Sequence, residues 1–254
     1  MSVDRFYQYF LYAALAFVPF AFVFNNEIFH ALNCSPANTR TNWFFLLMTS
    51  LADGLWVIMI ATVAQSLRPR NFAVLVLALV IGNILLHSGK FLINADRPLL
   101  ALGAANVCVL GLPLTSRSFP SGHAFSAILL FLFLRPRHSL WLGAIVLMLG
   151  IAGAVSRIYV GVHFPRDIVT GGLIAVAAWF LAEILAPRLH LWNMTHGART
   201  AALVIVGAGT ALVYIFLYHE KTRELEYLLT PSAYGVLAYW LIFAASRFFR
   251  RTTR

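Results

Sequence analysis

Residues 72–98 read FAVLVLALVIGNILLHSGKFLINADRP, an apolar run that ends in a lysine and an arginine. A run of about 20 apolar residues is long enough to cross the hydrocarbon core of a membrane as a helix. The rest of the chain has the same character, since 61% of its 254 residues are hydrophobic and only 11% are charged. With a mean hydropathy of +0.80, this composition excludes a soluble globular domain and indicates a membrane protein.

Apolar runs separated by polar breaks predict an all-α, polytopic membrane helix bundle. The first run is too long for a cleavable signal peptide, and no small-residue cleavage pattern follows it, so we expect a permanent span. The fourth run is shorter than a span, and we expect its helix to extend beyond the run at one or both ends. The eight expected helices are 6–25, 42–64, 72–92, 122–134, 139–155, 168–186, 200–218 and 234–249.

The chain divides into two parts on this interpretation. Residues 1–186 form a six-span core, and residues 187–254 form a basic loop with two accessory transmembrane helices. No internal repeat or low-complexity tract is visible.

Basic residues indicate the orientation, because short cytoplasmic loops carry an excess of lysine and arginine. If the N-terminus is inside, the cytoplasmic segments hold 11 of the 19 basic residues, namely Arg5, Arg68, Arg70, Arg135, Arg137, Arg188, Arg199, Arg247, Arg250, Arg251 and Arg254. The outer segments hold the others, namely Arg40, Lys90, Arg97, Arg117, Arg157, Arg166, Lys221 and Arg223. We therefore expect both termini in the cytoplasm, and the net charge of +10 needs no nucleic acid partner to explain it.

Three polar clusters follow or precede the third to sixth predicted helices. They lie at 90–98, with Lys90, Arg97 and Pro98, at Pro120–His123, and at 156–167. A single topology brings all three to the outer face of the membrane. This convergence predicts one functional site there.

The first two clusters and Arg157 suit an anion. Lys90, Arg97 and Arg157 would place three cations at the mouth of an apolar bundle, where unpaired charge is costly. Arginine matches phosphate oxygens two at a time, and lysine adds a mobile point charge. Ser121 and Gly122 begin an apolar helix, whose unpaired N–H groups also bind anions. Lipid head groups could explain one such cation but hardly three.

His163 and Asp167 are four residues apart, so on a helix they would share one face. A carboxylate that accepts from one ring nitrogen fixes the tautomer and leaves the other nitrogen free to attack. This arrangement is typical of a nucleophile.

In order and spacing the three clusters resemble the signature of the type 2 phosphatidic acid phosphatase superfamily, which includes membrane lipid phosphate phosphatases and vanadium haloperoxidases. The resemblance implies that His163 is the nucleophile and forms a phosphohistidine, that Asp167 orients it, and that His123 is the general acid. It also implies a reaction without a metal or other cofactor. The phosphate would bind to Lys90, Arg97, Ser121, Gly122 and Arg157.

The substrate implied by the resemblance is a phosphomonoester or diphosphate on a lipid head group, and the chain looks like a bacterial inner-membrane protein with its site facing the periplasm. The motifs do not distinguish undecaprenyl diphosphate, phosphatidylglycerol phosphate, phosphatidate and lipid A. A lipid phosphotransferase would use the same residues. A transporter is disfavoured, because its polar residues should follow a path near the midplane. The sequence gives no indication of oligomeric state.

Three further features are left open or set aside. Residues 93–121 include an apolar stretch, Leu99 to Leu112, that is either an interfacial loop or a flap over the site. Cys34 and Cys108 both lie in outer segments, where a disulfide is permitted but not required, and no zinc-ligand spacing is present. Asp53 lies about 15 Å from the outer end of the second predicted helix, so we expect a structural role too deep for the phosphate site.

Overall fold

The computed structural model describes residues 3–67, 72–136, 138–189, 195–218 and 225–252, and its regular structure there is helical. A short 3₁₀ turn spans Ala104–Asn106 and a π-helical turn spans Tyr214–Tyr218. The α-helices in these ranges are α1 (Val3–Val23), α2 (Asn25–Leu32), α3 (Thr39–Leu51), α4 (Gly54–Leu67), α5 (Phe72–Ile93), α6 (Pro98–Leu102), α7 (Gly122–Leu134), α8 (Leu140–Tyr159), α9 (Pro165–Arg188), α10 (His196–Val213) and α11 (Glu226–Thr252).

The predicted all-helical membrane fold is confirmed. Within the described ranges, six helices are long and apolar enough to cross a membrane, or seven if the bent pair α3–α4 is one span. Each of the eight predicted apolar runs is mostly helical, although the second is divided between α3 and α4. Six of the basic residues used to predict the orientation lie outside the described residues, namely Arg68, Arg70, Arg137, Lys221, Arg223 and Arg254.

Helix α7 does not extend beyond its apolar run, so that expectation was wrong. It has 13 residues, with Ser121 as its N-cap and Arg135 at its C-terminal end. Pro136 then disfavours helical geometry at the residue before it. At 1.5 Å per residue the helix is about 20 Å long, well short of a hydrocarbon core of about 30 Å.

The second predicted helix is broken in two. Helices α3 and α4 meet at an angle of 70°. Asp53 lies in the break, and its Oδ1 atom accepts a hydrogen bond of 2.9 Å from the backbone N–H of Leu55. This is the contact of an N-cap residue, a position at which aspartate is strongly preferred.

Helix α7 packs against α4, α5, α8 and α9 and so occupies the centre of the bundle. Phe125 and Leu129 on α7 are buried in the main apolar core. Gly82 on α5 is required for this packing, because a Cβ atom there would lie 2.1 Å from the ring of Phe125. The core therefore holds the first turn of α7 at a fixed depth.

The C-terminal helices pack on each other and on α4. Their contact with α4 includes an apolar cluster, in which Trp56 of α4 is buried together with Tyr214 and Leu229. The hydroxyl groups of Ser66 on α4 and Tyr239 on α11 also lie 2.5 Å apart. The pair is therefore attached to the rest of the bundle through the helix that begins at Asp53.

Residues 94–121 fold back over the end of the bundle at which α7 begins. Cys34 and Cys108, whose pairing the sequence left open, form a disulfide. The side chain of Asn33 also donates to the carbonyl of Cys108 at 2.8 Å and accepts from its N–H at 2.9 Å. Gly161 allows the close approach, because its φ is +80° and a Cβ atom there would lie 2.1 Å from the Cys108 carbonyl oxygen. The segment is therefore anchored within its apolar stretch, at Cys108.

Candidate active site

The N-terminus of α7 forms one wall of the site. The hydroxyl of Ser121 accepts from the N–H of Ala124 at 3.4 Å, so the predicted helix cap is confirmed. A Cβ atom at Gly122 would meet no other atom within 4 Å. The first N–H groups of this helix lack partners within the helix and attract anions.

The start of α9 forms a second wall. Pro165 occupies the first turn, and the Oδ2 atom of Asp167 accepts from the N–H of Phe164 at 3.0 Å. His163 lies in the loop just before the helix, with its Nδ1 atom 3.3 Å from Oδ2 of Asp167. The predicted pair is therefore present, although the N-terminal turn, and not a continuous helix, brings the two side chains together.

The neighbours of His163 determine its tautomer. Nη1 of Arg97 lies 3.2 Å from Nε2 of the ring. Because a guanidinium can only donate, Nε2 accepts, and the ring proton is on Nδ1, facing Asp167. Burial first, and then the positive charges of Arg97, Arg157 and Lys90, hold the pKa of His163 well below its usual range. The imidazole is therefore neutral at neutral pH, with the lone pair of Nε2 directed at the arginine.

The three predicted cations come from three parts of the chain and each has a polar contact. Lys90 donates from Nζ to the carbonyl of Arg117 at 2.9 Å. Arg97 donates from Nε to the carbonyl of Ser116 at 2.8 Å. Arg157 donates from Nη1 to the hydroxyl of Thr49 at 2.6 Å. The charges of Lys90, Arg97 and Arg157 act on both His123 and His163, so all five side chains share one site.

Asp53 was misplaced by the sequence analysis. Its Oδ2 atom lies 3.6 Å from Nε2 of His123, so the expectation that it is too deep for the site was wrong. The bend after α3 brings Asp53 next to the first turn of α7. A signal was present, because an Asp-Gly pair within an apolar run is typical of a helix start.

Two hydroxyl groups were missed altogether. Ser118 is fully buried and donates to Oδ2 of Asp167 at 2.5 Å, with its oxygen 3.4 Å from Nδ1 of His163. Thr49 supports Arg157 from the adjacent α3. Nothing in the sequence marks either residue, because serine and threonine are common in loops and apolar helices.

This arrangement can bind a tetrahedral anion and accept a phosphoryl group. Three cations and a helix N-terminus lie near His163, whose Nε2 atom accepts a hydrogen bond from Arg97. A second imidazole, His123, lies across the site next to a carboxylate. Within the described part of the chain, no three His, Cys, Asp or Glu side chains come together as metal ligands.

Comparisons with known proteins agree with this geometry. The PAP2 superfamily matches residues 71–190, which contain all three clusters. An undecaprenyl-diphosphatase of Sulfolobus acidocaldarius is 27% identical over 164 residues, which is 63% of this chain and 77% of that protein. The putative undecaprenyl-diphosphatase YbjG of Escherichia coli K12 is 35% identical over 68 residues, 27% of this chain and 34% of that protein.

A solved structure extends the similarity to the fold. The crystal structure of Aquifex aeolicus LpxE matches with a TM-score of 0.57 and 30% identity, over 62% of this chain and 93% of that one. The match thus includes nearly all of a solved relative. The chain therefore belongs to the PAP2 superfamily of membrane phosphatases.

Proposed function

We propose that the protein hydrolyses a lipid phosphate or lipid diphosphate through a phosphohistidine on His163. The observation that carries the proposal is the state of that imidazole. Nδ1 is held by Asp167 and Ser118, and the lone pair of Nε2 faces Arg97. A neutral, oriented histidine beside three cations is suited to attack a phosphorus atom.

The first half-reaction transfers the phosphoryl group to the protein. Lys90, Arg97 and Arg157 neutralise the phosphate oxygens together with the N–H groups at Ser121 and Gly122. Nε2 of His163 forms a bond to phosphorus as the bond to the leaving oxygen breaks. His123 donates a proton to that oxygen, and Asp167 stabilises the positive charge that develops on the nucleophile.

The second half-reaction releases phosphate. A water molecule gives a proton to His123, now a base, and its oxygen attacks phosphorus as the P–N bond breaks. Inorganic phosphate leaves, and both imidazoles return to their starting states. The proposed route needs no metal, because the cations of the chain carry out the charge neutralisation.

We further propose a lipid diphosphate of the undecaprenyl type as the first substrate to test. The names of the Sulfolobus and Escherichia relatives support this choice. Phosphatidylglycerol phosphate, phosphatidate and lipid A are the other lipid phosphates that the site would accept chemically. Transfer of the phosphoryl group to a second lipid is the alternative reaction, since it needs the same residues.

The site is proposed to face the outside of a bacterial inner membrane, with both termini in the cytoplasm. The Cys34–Cys108 disulfide at the same end of the bundle supports this orientation, because disulfides persist in oxidising compartments. Arg135 and Glu183 pair at 3.8 Å beyond the other end of α7. A fluorescent reporter that folds only in the cytoplasm, fused after Arg254, should fluoresce; a dark fusion would reverse the orientation.

The decisive experiment offers labelled lipid phosphates to the purified protein in detergent with a metal chelator. We expect release of inorganic phosphate and, after rapid quenching, an acid-labile label on the protein. His163→Ala should lower turnover by at least about 10³-fold and abolish the protein label. His138→Ala is the matched control, because this exposed histidine lies beyond the other end of α7.

The outcomes separate the alternatives. Substantial hydrolysis by the His163 variant would rule out the covalent route. Label recovered in a second lipid instead of free phosphate would favour the phosphotransferase. A wild-type protein that acts on no member of the panel would remove the proposed function itself.

A further inference from the structure

Asp53 contacts the second imidazole of the site and has no role in the reaction described so far. Its Oδ2 atom lies 3.6 Å from Nε2 of His123, and the residue is 8% exposed. We propose that Asp53 is a positioning residue that keeps His123 in its proton-donating form. This inference rests on the proposed function, in which His123 is the general acid.

The charges around His123 explain why such a residue is needed. Burial first, and then the charges of Arg157 from α8, His163, Arg97 from the segment after α5, and Lys90 from α5, oppose a positive charge on its ring. Each cation opposes a positive charge on a nearby imidazole. A general acid must nevertheless hold its proton until the leaving oxygen takes it. A carboxylate next to the ring supplies the compensating charge.

The charge balance of the occupied site supports this role. Lys90, Arg97, Arg157 and a protonated His123 carry four positive charges. Asp53, Asp167 and a phosphomonoester dianion carry four negative charges. Asp53 and the substrate dianion together offset the three cations, so His123 can carry a proton when the substrate is bound.

The two carboxylate oxygens of Asp53 have separate tasks. Oδ1 accepts from the N–H of Leu55 at 2.9 Å and so caps α4. Oδ2 faces His123. The positive end of the α4 dipole also stabilises a negative charge at its N-cap. One oxygen of the carboxylate thus holds the helix start, and the other faces the imidazole.

Packing on both sides fixes this geometry. A Cβ atom at Gly54 would lie 4.0 Å from the hydroxyl oxygen of Ser126, which is one turn beyond His123 on α7. Trp56 and Met59 on α4 are buried against the C-terminal helices. The carboxylate is thus presented to the imidazole by a rigid helix start and not by a flexible loop.

In the proposed reaction, His123 loses one proton in the first half-reaction and regains one in the second. It leaves His123 for the leaving oxygen as the P–O bond breaks, and the imidazole becomes neutral beside the unchanged carboxylate. The attacking water later returns a proton to the same ring. Asp53 forms no bond to phosphorus, so it acts through His123 and not on the substrate.

The test compares two substrates that differ in their need for an acid. An alkyl phosphate has a leaving oxygen that must be protonated, whereas 4-nitrophenyl phosphate has one that departs unprotonated. Asp53→Asn keeps an oxygen that can cap α4 but removes the charge. We expect kcat for the alkyl phosphate to fall by about 10²-fold and for the aryl phosphate by less than about tenfold.

Further variants separate positioning from structural support. His123→Ala should show the same dependence on the leaving group, and Asp53→Asn should cause little additional loss in that background. Asp53→Glu should recover part of the rate. The basic limb of the kcat profile for Asp53→Asn should move to lower pH. Equal losses on both substrates, with a lowered Tm and an unmoved profile, would show a structural role only and overturn the inference.

A readout that needs no turnover distinguishes this inference from the proposed function. The ¹⁵N resonances of His123 should titrate at lower pH in Asp53→Asn than in the wild type. A titration that does not move would overturn the role of Asp53, even in an active enzyme. Absence of turnover by the wild type on every lipid phosphate would instead overturn the proposed function.

Discussion

The two ring nitrogens of His163 face opposite kinds of neighbour. Nδ1 lies beside the carboxylate of Asp167, and Nε2 lies beside the guanidinium of Arg97. Because His163 is almost completely buried and lies near three positive charges, burial and these charges both oppose protonation of its ring. This residue therefore has the properties of a permanently available nucleophile.

We expect His163 to stay neutral to a pH well below about 6.5, the ordinary value for histidine, because burial and three cations lower its pKa. The lowered pKa also determines how the stability of the protein changes with pH. As pH falls through that ordinary value, the unfolded chain takes up a proton that the native ring refuses, so this residue's contribution to stability is progressively lost. A ¹⁵N titration of histidine-labelled protein, with His163→Ala to assign the resonance, measures it. Titration near 6.5 would contradict the proposed environment.

Sequence reasoning placed the charged and imidazole side chains of the proposed site at one end of the helices, because of their spacing relative to the apolar runs. It did not find Ser118, Thr49 or the true position of Asp53. These residues reach the site through a buried loop, a neighbouring helix and a bend, and such contacts depend on tertiary packing. Of these features, only the break between α3 and α4 had a local signal in the sequence, which is the Asp53-Gly54 pair.

At the scale of elements, the site depends on how closely α9 approaches the N-terminus of α7. Gly171 of α9 has no room for a side chain, because its Cβ atom would lie 2.3 Å from the carbonyl oxygen of Ser121. The N–H of Ser121 in turn donates to the carbonyl of Asp167 at 3.0 Å. The two walls of the site are therefore joined directly through their backbones.

Gly171→Ala should displace Ser121 and lower both stability and turnover, with a stability loss of about 1–3 kcal/mol from overpacking. Gly172→Ala is the matched control, since its Cβ atom would meet Ile128 at an ordinary 3.6 Å. Thermal unfolding in detergent and phosphate release measure the two effects. Equal behaviour of the two variants would show that this close approach does not position the phosphate site.

At the scale of the whole molecule, the chain is proposed to consist of a catalytic core, 1–186, and an accessory part, 187–254. The basis of this division is that all three polar clusters lie within residues 1–186. The apolar contact of Trp56 with Tyr214 and Leu229 attaches the accessory helices to α4. The sequence showed that these helices exist, but helix hydrophobicity carries no information about which partner a membrane helix selects.

Gly207→Ala should separate α10 from α11, because its Cβ atom would lie 2.1 Å from Nε1 of Trp240. We expect a lower Tm with kcat retained at moderate temperature, since α4 also packs on α7 and would keep its position. Gly209→Ala should change neither quantity, as its Cβ atom would meet nothing within 4 Å. A selective loss of kcat in Gly207→Ala would mean that the accessory pair takes part in catalysis.

The short helix α7 gives the two products of the proposed reaction different exits. A phosphate held at its N-terminus sits in a recess, because the helix is about 10 Å shorter than the hydrocarbon core. Inorganic phosphate would then leave into water past the 94–121 segment, which is anchored at Cys108. The dephosphorylated lipid of the proposed reaction would remain among the lipid chains of the bilayer. The two products would thus leave by separate routes, one into water and one within the bilayer.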